Sequence, residues 1–346
     1  VCALLGPRQC GKTTLAKLFA KKLMGVHFFD LENPQDMALL ASPSLVLPTL
    51  KGTIIIDEIQ RRPDLFPYIR YLVDNSDAKF LILGSASQEL IRQSSESLAG
   101  RISYVELPPF QLHEVLDMNT LWQRGGYPKS FFSFTSELSE KWRLDYFKTF
   151  LERDLAMMGI QTEPRNMRRL WAMLAHYHGQ IANISELSRS LDLTDKTVRR
   201  YMDILEGAFM VRQLVPWHEN LSKRQVKRPK MYIRDSGLLH SLLGIKGADI
   251  YRHPKCGASW EGFALETLIQ ELEGGLSEFY FWGTESGAEL DLLVIEGGKR
   301  HGYEFKYSEA PKATRSMHAS VEYLMLDSLT VVTPGIRSYP LTEKIS

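Results

Sequence analysis

The chain has 346 residues, of which 44% are hydrophobic and 24% charged, and its formal net charge is +1. This composition is typical of a soluble globular protein of about two or three domains, and no apolar run reaches the roughly 18 residues of a membrane span. The balanced charge excludes a global attraction to nucleic acid, so nucleic-acid binding would require local basic patches. Three widely spaced cysteines (Cys2, Cys10 and Cys256) favour a reducing cytoplasmic location and argue against a disulfide framework or a zinc site.

The chain opens at Val1 on an apolar strand (VCALLG), followed by a Gly-rich turn and an amphipathic helix. This start predicts an N-terminally incomplete chain. Residues 6–13 match G-x-x-x-x-G-K-[ST], in which glycines let the backbone wrap phosphates at a helix N-terminus. Lys12 would reach the β- and γ-phosphates, and the Thr13 hydroxyl would bind Mg²⁺. The predicted nucleotide contacts are Gly6, Pro7, Arg8, Gln9, Cys10, Gly11, Lys12, Thr13 and Thr14.

A second apolar strand, TIIIDEIQ, ends in Asp57 and Glu58. All-apolar strands indicate a parallel sheet covered on both faces, with ligands at the carboxyl ends of its strands. Asp57 would hold Mg²⁺, and Glu58 would act as the general base for ATP hydrolysis. The alternative is an acidic strand end that faces solvent.

Six stretches together resemble a large prokaryotic family of AAA-type ATPases: GPRQCGKTT, IIIDEIQ, LILGSAS, SLAGRI, RGGYPKSF and YFKTFLERDL. The later stretch KRPKMYIRDSGLL also resembles a block of that family. The resemblance covers essentially the whole chain and implies ATP binding and hydrolysis, with a C-terminal domain of no settled substrate. It implies no role that we can derive for Arg124, Arg153 and Asp154, and the glycines of RGGYP are those of a tight loop.

Two further residues have assignments with an open alternative. Ser85 ends the third strand, KFLILGSAS, where AAA-type ATPases carry a polar residue that senses the γ-phosphate; the alternative is ordinary turn chemistry. Arg101 could be an arginine finger that acts in cis or from a neighbouring subunit. The alternative for Arg101 is a surface or salt-bridged arginine.

The middle of the chain predicts packed helices and then a winged helix-turn-helix. Ser185 would cap a short helix, Thr194 a second helix, and FMVRQLVPW would form the wing hairpin. DNA contact would come from Lys196, Arg199 and Arg200, whereas a lid or a protein-docking module is the alternative. The basic run at 223–230 could bind phosphates or be a solvated linker.

The C-terminal third predicts a helix carrying Glu261 and three strands, the last two joined by a hairpin turn at Gly297 and Gly298. Alternation on AELDLLVI places Glu289, Asp291 and Leu293 on one face and Leu290 and Leu292 on the other. Asp291, Glu304 and Lys306 would then meet across adjacent strands beside Glu261. This order resembles the PD-(D/E)xK nuclease core, in which Glu261, Asp291 and Glu304 would bind Mg²⁺ and Lys306 would orient the water.

Three alternatives stay open for that C-terminal region: an active nuclease, a nuclease-like fold that does not cleave, and an exposed sheet face without chemistry. The predicted fold class is α/β. An AAA-type P-loop NTPase domain at 1–135 precedes a helical and winged-helix region at 136–220 and a restriction-endonuclease-like domain at 221–346.

The predicted function is that of an ATP-binding, Mg²⁺-dependent ATPase whose nucleotide state controls nucleic-acid binding, with or without cleavage, by the distal domains. One alternative is an ATP-driven switch that docks a protein partner or a second copy of the chain. Another is an ATPase that tethers DNA without hydrolysing it.

Overall fold

The computed structural model describes residues 1–85, 94, 96–157, 160, 162–220, 224–272 and 277–346. The chain divides into two compact units, each assembled from separate stretches of sequence. The first unit consists of Val1–Phe110, Asp145–Pro164 and Met202–Met210. The second unit consists of Gln111–Leu144, Arg165–Tyr201 and Val211–Ser346.

A parallel sheet forms the centre of the first unit. Its strands are β1 Cys2–Gly6, β2 Val26–Asp30, β3 Thr53–Asp57, β4 Lys79–Ser85 and β5 Ser103–Glu106. They lie in the order β2-β3-β4-β1-β5, and each neighbouring pair is parallel. This sheet, with the helices that cover it, confirms the predicted P-loop NTPase-like α/β fold for the N-terminal part of the chain.

The apolar strands of this sheet bury side chains on both faces. On β3, Ile54 and Ile56 belong to one buried cluster, and Ile55 packs into a second cluster with Ala16. A continuous apolar run is the pattern that a doubly covered parallel strand requires. The covering helices are α1 Lys12–Ala20, α2 Pro34–Leu39, α3 Pro43–Val46 and α4 Phe66–Asn75.

The remaining helices follow in chain order. They are α5 Leu112–Val115, α6 Met118–Arg124, α7 Pro128–Phe131, α8 Ser136–Thr149, α9 Leu155–Met157, α10 Pro164–His176, α11 Ile184–Leu191, α12 Asp195–Gly207, α13 Ser236–Leu243, α14 Cys256–Leu272 and α15 Arg315–Tyr323. A π-helical turn, Phe150–Asp154, joins α8 to α9. Within the described residues, no helix combines the length and the apolar character that a membrane span requires.

A small antiparallel sheet accompanies α10, α11 and α12. Its strands, β6 Gln180–Ile181, β7 Val211–Leu214 and β8 Lys230–Ile233, lie in the order β6-β8-β7. The prediction that FMVRQLVPW contains a whole hairpin is wrong, because β7 pairs with the more distant β8. The cap of α11 is Asn183, whose side chain accepts from the Glu186 N–H, so the Ser185 assignment is also wrong.

A four-stranded sheet forms the C-terminal part of the second unit. It consists of β9 Glu278–Gly283, β10 Glu289–Glu296, β11 Lys299–Phe305 and β12 Ser328–Val332, in the order β12-β11-β10-β9. The first three strands form an antiparallel meander, and β12 returns parallel to β11 after α15. The predicted turn is confirmed, since Gly297 and Gly298 both have positive φ, at 56° and 81°.

The simple alternation predicted for β10 is wrong. The pairing of β10 with β9 shifts in register between Leu290 and Leu293. As a result Leu290 and Leu293 join one buried cluster, whereas Leu292 joins another. A bulge adds a residue to one strand and thereby reverses which face the following side chains occupy.

Candidate functional site

The Gly-rich turn after β1 has the backbone that the phosphate-binding pattern predicts. Gln9 and Gly11 have positive φ values, 65° and 115°, and α1 begins directly after Gly11. A Cβ on Gly6 would lie 2.2 Å from the Leu107 carbonyl oxygen, so only glycine fits there. The turn therefore directs its amides and the start of α1 toward one region, the arrangement that favours an anion.

Lys12 and Thr13 are held at the start of α1 by specific contacts. The buried Lys12 ammonium donates to the carbonyl oxygens of Gly6 and Pro7, at 2.9 and 2.8 Å. The Thr13 hydroxyl donates to Asp57 Oδ2 at 2.6 Å. The structure thus brings Lys12, Thr13 and Asp57 together from the two motifs of the sequence.

Glu58 stands beside this group in a strained backbone conformation. Its φ of 57° is in the left-handed region, which is costly for a non-glycine residue. Gln60 donates a hydrogen bond to its carboxylate. Burial raises the pKa of both Asp57 and Glu58, and the charge of Lys12 acts in the opposite direction. A carboxylate with a raised pKa is a better base than an exposed one.

The magnesium ion and nucleotide implied by this motif fit the residues present. Thr13 and Asp57 supply two oxygen ligands of the hard type that Mg²⁺ prefers, already in contact with one another. Gly6, Pro7, Arg8, Gln9, Cys10, Gly11 and Thr14 supply the surrounding loop and helix start.

Ser85 and Arg101 lie at opposite ends of the parallel strands, Ser85 at the carboxyl end and Arg101 at the amino end. The register pairs Ser85 with Gly6, which places the end of β4 beside the start of the phosphate loop; the Ser85 side chain is outside the described residues. Arg101 precedes β5, and its carbonyl oxygen accepts a hydrogen bond from the Val1 amino group at the amino-terminal end of the strands. The phosphate loop lies at the other end of β1, which spans five residues or roughly 17 Å.

Arg101 also has a partner, because its guanidinium contacts Asp74 at 2.5 Å. This contact and the distance to the phosphate loop favour the salt-bridged alternative over a finger that acts in cis. An action in trans stays a prediction.

A charged cluster on the phosphate loop was not predicted. The Arg8 guanidinium contacts Asp154 at 2.9 Å and Glu32 at 3.1 Å, and Arg153 approaches Glu32 at 3.7 Å. Asp154 is only 1% exposed. The sequence contained the signal, since Arg8 is a loop position and Arg153-Asp154 is a block of the resemblance, but nothing in the sequence joined the two.

A second cluster lies on the four-stranded sheet, and it includes all four residues predicted for it. Asp291 and Glu304 are buried, at 6% and 4% exposure, which excludes a solvated sheet face at this point. Lys306 Nζ lies 2.9 Å from Glu304 and 3.8 Å from Asp291. Glu261 of α14 completes the group through its link to Lys230.

Lys230 occupies the centre of this cluster, although the sequence places it in the basic run at 223–230, which is predicted to bind phosphates or to be a solvated linker. Its buried ammonium contacts the carboxylates of Glu261 at 3.6 Å, of Asp291 at 3.4 Å, and of Glu289. Burial by itself would lower the pKa of Lys230, but these carboxylates more than offset it and raise the pKa. Burial and the charge of Asp291 raise the pKa of Glu261 and of Glu304.

The metal ion implied by the nuclease resemblance does not fit this cluster. The Lys230 ammonium contacts two of the three carboxylates that would have to converge on a cation, those of Glu261 and Asp291. In the part of the chain that the structure describes, no group of three or more His, Cys, Asp or Glu side chains is arranged to hold a metal. The position of Lys230 therefore favours a network of ion pairs over a metal site formed by Glu261, Asp291 and Glu304.

The RGGYP loop meets the later RDSGLL block inside the second unit. Asp235 accepts from the Gly126 N–H at 2.8 Å and caps α13 through the Leu238 N–H. A Cβ on Gly125 would lie 2.2 Å from the Asp235 carboxylate, and one on Gly237 would lie 2.1 Å from the Arg124 carbonyl oxygen. These glycines permit close packing, as the loop interpretation predicts.

The basic residues considered for nucleic acid divide into exposed and buried. Lys196, Arg199 and Arg200 on α12 are exposed, as are Arg224, Lys227 and Arg228. Lys230 is buried, and Lys223 lies outside the described residues. Only the exposed residues offer charge to an external phosphate.

Three family models match the chain in succession. Residues 1–116 match the model described as AAA domain, residues 115–249 match Domain of unknown function (DUF8612), and residues 256–346 match Domain of unknown function (DUF4143). The first match confirms the expected AAA-type domain. The other two indicate no chemistry.

Several known proteins resemble the chain. The uncharacterized proteins Rv2008c of Mycobacterium tuberculosis and Mb2031c of Mycobacterium bovis are each 49% identical over 350 residues, covering 100% of this chain and 79% of each relative. An uncharacterized protein of Haemophilus influenzae is 22% identical over 278 residues, covering 70% of this chain and 69% of its own.

Two solved structures are more distant. The Bacillus subtilis DNA clamp loader delta protein (YqeN) has a TM-score of 0.25 and 12% identity, covering 60% of this chain and 83% of its own. Protein VC1899 from Vibrio cholerae has a TM-score of 0.18 and 12% identity, covering 97% and 90%. Neither likeness is close enough to indicate a function.

Proposed function

This chain belongs to the family of the uncharacterized Mycobacterium tuberculosis protein Rv2008c, and we propose that its AAA domain is a Mg²⁺-dependent ATPase whose nucleotide state controls the distal parts of the chain. The observation that carries the proposal is the meeting of Lys12, Thr13, Asp57 and Glu58 at the carboxyl edge of one parallel sheet. Ligands of open α/β sheets bind at that edge.

Each of these residues has a separate role. The loop amides and the start of α1 bind the phosphates, and Lys12 exchanges its loop carbonyls for phosphate oxygens. Thr13 and Asp57 hold Mg²⁺, which when bound supplies positive charge that offsets the negative charge on the transferred phosphate. Glu58 accepts a proton from the attacking water, and Gln60 orients the Glu58 carboxylate.

Two fold assignments for the second unit belong to this proposal. The series α10, β6, α11, α12, β7, β8 with sheet order β6-β8-β7 supports a winged helix. The series α14, β9, β10, β11, α15, β12 supports the resemblance to a restriction-endonuclease-like fold. The division into three domains at 135 and 220 stays a prediction.

We assign the C-terminal cluster to a nuclease-like fold that does not cleave. Hydrolysis by a PD-(D/E)xK site requires a cation among its carboxylates, and Lys230 supplies a fixed ammonium there instead. The activity that we propose nucleotide state controls is nucleic-acid binding. Its contacts are Lys196, Arg199, Arg200 and the exposed part of the 223–230 run. Docking of a protein partner is the second candidate, which the mixed charge of α12 supports.

The ATPase assignment is tested by Lys12→Ala and Glu58→Gln. Lys12→Ala should abolish ATP binding and turnover, because the phosphates lose their only buried lysine in the loop. Glu58→Gln should bind ATP and lower kcat by about a hundredfold or more, because the general base is removed. Phosphate release and binding of a fluorescent nucleotide measure the two effects.

Lys21→Ala provides a matched control, because Lys21 is an exposed lysine at the end of the same helix. A wild-type rate that persists in Lys12→Ala would refute the nucleotide site. Asp291→Ala and Lys306→Ala should leave the ATPase rate unchanged. Mg²⁺-dependent nicking of plasmid by the wild type, lost in both variants, would refute the non-cleaving assignment.

A further inference from the structure

Arg8 is the third residue of the phosphate loop, and its side chain is bound to two carboxylates of the same unit. The guanidinium contacts Glu32, just after β2, at 3.1 Å and Asp154, the last residue of the π-helical turn, at 2.9 Å. It also lies 3.7 Å from the Met157 sulfur. The loop that binds phosphate is thereby joined to the turn Phe150–Asp154.

Burial raises the pKa of the Asp154 carboxyl, and the charge of Arg8, followed by that of Arg153, acts in the opposite direction. The carboxylate is 1% exposed, and neither oxygen has a well-directed hydrogen-bond donor among the described residues, so the Arg8 contact is an ion pair without hydrogen-bond geometry. Removing the partner of a buried ion pair is strongly destabilising, because the remaining charge is left without compensation. Movement of the Arg8 guanidinium away from Asp154 would therefore weaken the electrostatic compensation of a buried charge at the end of the π-helical turn.

A terminal phosphate at the loop would compete for the same guanidinium. Arg8 lies within the turn whose backbone amides surround the phosphates in proteins with this motif. A guanidinium binds phosphate, as it binds a carboxylate, through two parallel hydrogen bonds. A cavity of about 570 Å³, lined in part by Glu32, Gln60 and Met157, provides space beside the cluster for the side chain to move.

We propose that Arg8 exchanges between the Asp154 and Glu32 carboxylates and the terminal phosphate of the bound nucleotide, so that Arg8 is a positioning residue that reports the presence of that phosphate to the π-helical turn. The inference rests on the proposed ATPase function and adds to it the contact through which the bound nucleotide affects a segment outside the phosphate loop. π-helical turns inside α-helices are frequent at functional sites.

The exchange makes a prediction about the ratio of ATP to ADP affinity, since only ATP carries the terminal phosphate. Asp154→Asn and Glu32→Gln keep the side-chain shape but weaken the competing partner, so each should raise the ratio on the order of fivefold. Arg8→Gln should lower the ratio by about tenfold or more, because a charge-assisted contact with that phosphate is lost. Titration of the full chain with a slowly hydrolysed ATP analogue and with ADP measures the ratios.

The matched control is Asp64→Asn, which breaks an exposed Arg62–Asp64 pair in the same unit. It should leave the ratio unchanged. Hydrogen exchange provides a second measurement: amides of residues 145–157 should differ between the ATP-analogue and ADP states in the wild type and not in Arg8→Gln.

The outcomes separate the inference from the ATPase proposal. A wild type that binds neither nucleotide refutes both. If nucleotide binding requires Lys12 but Asp154→Asn and Glu32→Gln leave the ratio of ATP to ADP affinity unchanged, the exchange is refuted and the ATPase proposal stands. Equal loss of ATP and ADP affinity in Arg8→Gln also refutes it, because Arg8 would then only support the loop.

Discussion

At the scale of single residues, Lys230 determines the chemistry of the C-terminal cluster. One ammonium group contacts three carboxylates, and it is 3% exposed. A buried charge is tolerated only when it is paired, and here three carboxylates share one buried cation. The cluster is thereby fixed as a network of ion pairs.

Replacement of Lys230 by Met should destabilise the protein by about 3–5 kcal/mol, since Glu261, Glu289 and Asp291 lose their shared cation. Urea unfolding, read as the change in midpoint multiplied by the m-value, measures this loss. Mn²⁺ without nucleotide should raise the Tm of the variant, because a divalent cation can then enter, and should leave the wild-type Tm unchanged.

Lys227→Met is the control for Lys230→Met, since Lys227 is an exposed lysine of the same basic run. It should unfold like the wild type. Nucleotide-free wild-type protein that binds Mn²⁺, with the binding lost in Asp291→Ala, would show that Lys230 does not exclude a metal.

At the scale of secondary-structure elements, two buried histidines form hydrogen bonds between elements of the second unit. His178, just after α10, accepts from the Ile233 N–H of β8 at 3.0 Å. His240 of α13 contacts Ser259 of α14 at 2.7 Å. Burial lowers the pKa of His178 to about 3 and that of His240 to about 4, so both rings are neutral at physiological pH.

Acid should therefore weaken the protein through these two rings. A histidine with a folded-state pKa below its unfolded value of about 6.5 contributes full stability above pH 6.5 and loses it as the pH falls. At pH 5 each ring should cost about 2 kcal/mol, which is the 1.5 pH units below 6.5 converted at about 1.36 kcal/mol per unit. Urea unfolding at pH 7.5 and pH 5 measures the sum.

The difference in the free energy of unfolding between pH 7.5 and pH 5 should become smaller in His240→Gln. It should stay the same in His318→Gln, because His318 is exposed. Equal stability of the wild type at the two pH values would contradict the neutral, buried state of both rings.

At the scale of the whole molecule, the question is whether nucleotide state changes nucleic-acid binding. The exposed basic residues of α12 belong to the second unit, and the phosphate loop belongs to the first. The proposed function requires that the two be coupled. The net charge of +1 makes this test informative, because general attraction to a polyanion is small.

We expect a labelled DNA duplex to bind with different affinity in the presence of the ATP analogue and of ADP. The double variant Arg199→Ala and Arg200→Ala should weaken binding and reduce the slope of log K against log salt by about 2, since two phosphate contacts are lost. Fluorescence anisotropy at several salt concentrations measures both quantities.

Lys21→Ala with Lys22→Ala removes the same charge from the end of α1 and should leave the salt slope unchanged. Absence of DNA and RNA binding in every nucleotide state would favour the protein-docking candidate.

The local parts of the molecule could be predicted from sequence because short-range physics determines them. The phosphate loop follows from glycines at positions that need positive φ, and the parallel sheet follows from apolar strands ending in acidic residues. The turn at Gly297 and Gly298 follows from the same backbone requirement. In each case, neighbouring residues in the chain contain the whole signal.

Predictions failed where a distant residue or an irregularity intervened. The bulge in β10 moved Leu292 to another cluster, and β8 replaced the expected second strand of the wing. Arg101 lies at the amino-terminal end of the strands, away from the phosphate loop. The direction of a strand decides at which end a residue lies, and the alternation of side chains does not reveal that direction.

By itself the sequence determined the nucleotide-binding motif, the α/β class of the N-terminal domain, and four members of the C-terminal cluster, Glu261, Asp291, Glu304 and Lys306, but not Lys230 at its centre. Only the tertiary structure decided what those residues do to one another. Lys230 and Asp291 are separated by 61 positions, and Arg8 and Asp154 by more than twice as many. The pairing energy of buried charges depends on distance in space and on loss of water, and neither quantity is written in the order of the chain.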